Sequence, residues 1–314
     1  MKKILLLVVC FMLLSCVPSN AAYLVTGYLA NDQVMSEPLK SAELSLAANI
    51  EYFSAREAQI NVPGSDDYPE WGSISDAKID SFSMIVVPMK LAYGITDSCT
   101  FRITFPYVSV NEERIGKDAA AAAGFGDIRI ETLFQFLKET DFDPAVSGNI
   151  AVKFPFGSRH LSSDDKLDIG TGTTDLYIYA VIQKRIWRVD HKFLLGYGMI
   201  GPTTDKLNEK IDLSNPMMYS WLFSFPVNEQ FKFGGELWGS VAGEDKIDGD
   251  GLTDSNTNPI YFSPFMTFKQ SEDLSCRMCL DLPLSQSPTY SMANVGLNSF
   301  RGLNVSLGMT WTTR

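Results

Sequence analysis

About twelve stretches of this chain, each near ten residues long, alternate apolar and polar residues with a period of two. In 303–312, Leu303, Val305, Leu307, Met309 and Trp311 interleave with Asn304, Ser306, Gly308, Thr310 and Thr312. The same rhythm runs through 127–136, 230–241 and 274–282, and recurs at 43–52, 84–93, 100–110, 146–154, 175–184, 192–199, 219–226 and 259–269. Successive side chains of a strand point to opposite faces, so a period of two predicts strands with one apolar and one polar face. Roughly ten residues is also the length a tilted strand needs to cross a bilayer.

The connections divide into two kinds. Those at 94–98, 138–143, 188–190, 227–229 and 271–273 are short, and those at 56–78, 111–124, 157–172, 201–214, 243–257 and 286–301 are long and polar. Short turns at one end and long loops at the other predict an antiparallel up-and-down transmembrane β-barrel, with turns in the periplasm and loops outside. The apolar faces carry large side chains such as Phe101, Phe105, Trp221 and Phe223. The opposite faces carry Glu43, Glu51, Arg102, Asp127, Arg129, Glu131, Lys153, Lys232, Glu236, Arg277 and Asp281. In a barrel these charges line a wet lumen, because Lys or Arg facing lipid at mid-depth costs about 2–4 kcal/mol each. In a soluble β-sandwich, the competing architecture, the strands would be shorter and the charged faces solvated.

Lys2-Lys3, an apolar run from Ile4 to Leu14 and Ser19-Asn20-Ala21-Ala22 form a secretory signal peptide, here assigned to residues 1–22. Leu13-Leu14-Ser15-Cys16 offers the alternative of a lipoprotein anchored through Cys16. Residues 23–40 then form a periplasmic segment or a lumen plug, and 41–314 the barrel. The formal net charge of −11 argues against a nucleic-acid partner. After cleavage Cys99, Cys276 and Cys279 remain, an odd number that describes no disulfide framework. Cys276-Arg277-Met278-Cys279 has Cys-x-x-Cys spacing, but on an alternating strand its thiols point to opposite faces and share neither a metal nor a disulfide.

Short motifs mark the strand ends. Gly124-Phe125-Gly126-Asp127 and Gly170-Thr171-Gly172-Thr173-Thr174-Asp175 enter strands. Val152-Lys153-Phe154-Pro155-Phe156-Gly157 and Asp281-Leu282-Pro283-Leu284 leave them, and Phe105-Pro106-Tyr107 follows the first turn. Over roughly residues 80–314 this series resembles the family of outer-membrane transporters named after the meta-pathway of phenol degradation. The resemblance implies a bacterial outer-membrane barrel that takes up small aromatic or hydrophobic molecules, and it brings no solute-binding residues with it. Such barrels commonly end on an aromatic residue read by the barrel-assembly machinery, whereas here Thr312-Thr313-Arg314 follow Trp311.

Asp248, Asp250 and Asp254 around Gly251 resemble the middle of a calcium loop, although Lys246 stands at the first ligand position and no glutamate closes the pattern. A weak calcium site and a solvated acidic loop both fit. No other cofactor is expected. His160-Leu161-Ser162 has the spacing of a phospholipase pair but lies in a loop, and His191 has no evident partner, so an enzyme is not expected. The sequence thus reads as a monomeric outer-membrane barrel, in contact with lipid and lipopolysaccharide, with a narrow charged lumen that passes small molecules. The rival is a barrel with a filled lumen that serves structure or surface interaction. A soluble periplasmic β protein or a lipoprotein is a third reading.

Overall fold

The computed structural model describes residues 38–59, 78–114, 120–157, 169–204, 210–251, 258, 260–285 and 304–313. The signal peptide, nearly all of the 23–40 segment, His160, Ser162 and Asp254 lie outside the described residues.

The strands are β1 (Leu44–Gln59), β2 (Lys78–Thr96), β3 (Cys99–Arg114), β4 (Ala120–Phe125), β5 (Ile128–Leu137), β6 (Ala145–Phe154), β7 (Asp175–Ile186), β8 (Val189–Met199), β9 (Thr203–Thr204), β10 (Lys210–Asp212), β11 (Met217–Pro226), β12 (Phe231–Val241), β13 (Lys246–Ile247), β14 (Asp250–Gly251), β15 (Ile260–Lys269), β16 (Leu274–Ser285) and β17 (Asn304–Thr312). Thirteen of them form one antiparallel sheet, and the β1–β17 and β2–β3 pairings join its ends into a closed ring. Because β4 and β5 both pair with β3, they share one place in the wall, and the barrel has twelve strand positions. Closure removes every edge that lipid would otherwise leave without hydrogen bonds.

The wall is inverted relative to a soluble domain. Leu46, Ile85, Ile150, Leu195, Trp221 and Met309 are exposed on its outside, while Glu51, Arg102, Glu131, Lys153, Glu236 and Asp281 are buried within. The alternation shows this along the whole of β6 and from Asp175 to Ile182 of β7, with every second residue buried.

Three features differ from the sequence reading. First, β1, β2 and β3 run for 16, 19 and 16 residues, well past the length the alternation marks. Second, the expected 111–124 loop is mostly strand: β3 continues to Arg114 and pairs with β4. Ala120–Ala123 carry no apolar–polar contrast, so periodicity cannot find them. Third, the loops around 201–214 and 243–257 meet in a small four-stranded sheet, β14-β13-β10-β9.

The β4–β5 interruption has a visible cause. Pro106 of β3 lies opposite Pro88 of β2, and neither has an N–H for its other neighbour. On Pro88's far side, pairing with β1 lapses between Ala48↔Met89 and Glu51↔Val86. On Pro106's far side, β3 stops pairing with β5 at Thr104 and resumes with β4 at Tyr107. Gly126 bridges the gap by donating its N–H to Pro106 O at 2.8 Å.

At the short-turn rim the hairpins are stapled together. Lys184 Nζ donates to the carbonyls of Thr140, Asp141 and Asp143 on the neighbouring turn, at 2.7, 2.9 and 3.3 Å. Trp187, at φ 59° in the β7–β8 turn, and Phe142 on the next turn are 95% and 92% exposed. Aromatic rings at such a rim suit the level of lipid headgroups.

Candidate functional site

The inner wall collects the charges that the alternation assigns to one face, and the fold sorts them into groups. On β3 and β5, Arg102 lies opposite Glu131 in register and Nη2 donates to its Oε2, while Arg129 Nη2 lies 3.5 Å from the same oxygen. Asn149 of β6 donates Nδ2 to Glu131 Oε1. Glu131 is 1% exposed, so its charge is stabilised by these donors rather than by water.

Arg129 also reaches across β6 to β7. Its guanidinium lies 5.5 and 5.4 Å from the ring centroids of Tyr177 and Tyr179, which are stacked on one another. Between the strands the residue is Ala151, fully buried and small enough to let the arginine pass. The tyrosine rings in turn lie against β8, where Gly196 and Gly198 leave room: a Cβ on Gly196 would sit 2.4 Å from Tyr179 Cδ1. Ala151, Tyr177, Tyr179, Val181, Leu194 and Met218 form a packed cluster on this part of the wall.

Higher on the same wall, Lys153 Nζ is 2.6 Å from Asp175 Oδ2 and 3.5 Å from Asp127 Oδ2. It also donates to the hydroxyls of Thr171 and Thr173. Asp127 accepts from Gly157 N at 3.0 Å and from Thr171 N and Oγ1 at 2.9 and 2.8 Å.

Across the barrel the chemistry differs. Trp238 Nε1 donates to Ser263 Oγ at 2.7 Å, and Ser263 Oγ donates to Asp281 Oδ1 at 2.5 Å. Cys279 donates its thiol to the same carboxylate at 3.7 Å, and Tyr261 stacks on Trp238. Glu236, opposite Ser263 in register, is 1% exposed. Arg277 stacks on Phe265 at 3.9 Å. Cys276, on the opposite face of β16 from Cys279, is half-buried, and neither is in a disulfide.

Two of the sequence candidates sit at the short-turn rim rather than along the wall. Glu43 lies in the turn before β1, where Ala42 takes φ 64° to reverse the chain, and its Oε2 accepts from Lys40 N. Lys232 Nζ pairs with Asp190 Oδ2 at 3.0 Å, and Arg185 Nε holds the other oxygen at 2.5 Å. Lys232 also borders a cavity of about 330 Å³ with Gln230, Thr267, Lys269, Ser275 and Thr310.

The calcium candidates lie elsewhere. Asp248 and Gly249, at φ 48° and 98°, make the two-residue turn of the β13–β14 hairpin, the use to which Asp-Gly is suited. Asp248 Oδ1 accepts from Lys210 N at 2.8 Å, and Asp250 is exposed on β14. Among the described residues no three His, Cys, Asp or Glu side chains gather as a metal site.

Several wall residues escape the sequence reading. Lys90 and Asp175 are buried charges that follow the alternation of their strands and could have been found by it. Tyr177 and Tyr179 share the parity of Asp175, although an aromatic taken alone reads equally as a lipid-facing residue.

No protein-family model and no curated protein matches the chain. Among solved structures it is similar to an outer membrane channel from Pseudomonas putida F1, with a TM-score of 0.69 and 13% identity over 91% of this chain and 100% of that one. It is also similar to the translocator domain of the autotransporter NalP from Neisseria meningitidis, with a TM-score of 0.50 and 8% identity over 87% of this chain and 89% of that one. The chain therefore has the fold of a bacterial outer-membrane β-barrel: all-β, antiparallel and closed on twelve strand positions.

Proposed function

We propose that this protein resides in the bacterial outer membrane, its short-turn rim towards the periplasm, and passes small molecules with a hydrophobic or aromatic body through a narrow lumen. The carrying observation is that one inner wall bears both the ionic belt and an apolar stretch. Met84, Val86, Val108 and Val110 are inward residues of β2 and β3 and are 1–6% exposed. A purely aqueous pore has no use for such a stretch, and a purely greasy tunnel has none for Arg102, Arg129 and Lys153. The name of the similar Pseudomonas putida structure, an outer membrane channel, and the motif resemblance to the transporters of the phenol meta-pathway support a channel.

The segment before β1 serves as a plug. Leu39 donates its N–H to Thr100 Oγ1 at 2.8 Å, and Thr100 is a fully buried inward residue of β3. Leu39 is thus tied to the lumen side of the rim. A lumen filled at the level of Tyr179, which is 2% exposed, is what the rival structural reading requires. Reconstituted protein separates the two. Vesicle swelling with a panel of neutral and aromatic solutes should be slow for the whole chain and faster when residues 23–37 are deleted; no flux from either form favours the structural barrel. Heat-modifiable migration and fractionation with the outer membrane test the location. Any calcium at Asp248, Asp250 and Asp254 is held weakly, and chelation should leave the heat-modifiable form intact.

A further inference from the structure

Asp127 joins the two ends of one connection, which lie 30 and 44 residues along the chain from it. One oxygen takes the N–H of Gly157, where the 155–174 connection leaves β6, and the other takes the N–H and hydroxyl of Thr171, where it returns to β7. The two ends are pressed together at this point. A Cβ on Gly157 would fall 2.5 Å from Gly170 Cα, and one on Gly170 would fall 2.7 Å from Asp127 Oδ1. Only glycine permits this neck, which accounts for the Phe-Gly and Gly-Thr-Gly motifs at its two sides.

The residue this neck positions is Ile169, 3% exposed. Its Cδ1 lies 2.8 Å from where a Cβ of Gly124 would be, on the inner side of β4. Gly124 is opposite Val108 in register, so Ile169 occupies the missing side chain's place beside the apolar stretch of Val108 and Val110.

We propose that Asp127 is a positioning residue of the passage, and that through it Ile169 is kept seated on the apolar stretch of the inner wall, closing that stretch to solutes. This deepens the reading of the protein as a channel and rests on it. The interaction needs a carboxylate: three donors converge on two oxygens beside Lys153, and an amide would turn an N–H towards one of those donors.

The test uses the full chain in phosphatidylcholine vesicles, with swelling in arabinose and in phenyl arabinoside as readout. Asp127→Asn and Ile169→Ala should each raise swelling several-fold, more for the phenyl glycoside, while the folded, heat-modifiable band persists. Ile169→Leu should restore the wild-type rate, and Glu139→Gln on a short turn should not alter it. Unchanged rates in both variants, or an equal rise for the two solutes, overturn the proposal, provided deletion of 23–37 still raises flux. Should Asp127→Asn fail to fold, Ile169→Ala decides alone, because it leaves the carboxylate in place. If no form, the deletion included, exceeds protein-free vesicles, the channel reading fails and the proposal with it.

Discussion

The wall of β3 to β7 and the wall of β12 to β16 both bury carboxylates, and they neutralise them differently. Glu131 sits between two guanidiniums, and Asp127 and Asp175 share Lys153. Asp281 takes, among its partners, a hydroxyl, itself held by the Trp238 indole, and a thiol. An ionic wall couples several strands through full charges, so removal of one member strands another. Neutral donors such as the Ser263 hydroxyl and the Cys279 thiol give up one hydrogen bond at a time. Removing Asp281's partners should therefore be tolerated better than removing Glu131.

The largest effect is expected for Glu131→Ala. It leaves Arg102 and Arg129 facing each other without their shared carboxylate, and breaking a buried pair in this way costs about 3–5 kcal/mol. Denaturant midpoints of the folded barrel in detergent measure it; a loss no greater than that of a rim variant would show that water reaches these groups. Gly196→Ala comes next. Its new Cβ would meet the Tyr179 ring at 2.4 Å, and forcing that ring away costs about 1–3 kcal/mol of overpacking. Tyr179→Ala in the same chain should recover part of the loss, and failure to do so would place the strain elsewhere.

Ser263→Ala probes the neutral donors. The Trp238 N–H and one Asp281 oxygen lose their shared partner, at a cost of about 1–3 kcal/mol. A midpoint shift as large as that of Glu131→Ala would erase the distinction between the walls. The smallest effect belongs to Arg185→Ala at the rim. Arg185 is 61% exposed and Lys232 still holds Asp190, so the change should be within about 1 kcal/mol and fade with added salt.

The sequence alone determined the inverted barrel. An apolar–polar period of two, repeated over bilayer-length stretches and separated by alternately short and long connections, allows few other closed solutions. It also assigned Arg102, Glu131, Lys153, Glu236 and Asp281 to the inside, because parity along a strand is a local property. Local pattern has no access to cross-strand register, and register decides which charges meet. Lys153 lies opposite both Arg129 and Asp175, one repelling and one attracting, and nothing within any single strand shows it. The same limit hid β4, whose alanines become strand only through pairing with β3. It also hid the convergence of residues 126–127, 157 and 169–171 on one carboxylate. Those glycines are conspicuous in the sequence, but the reason for them is a close approach between both ends of one connection and the distant Asp127, and only the tertiary fold brings them together.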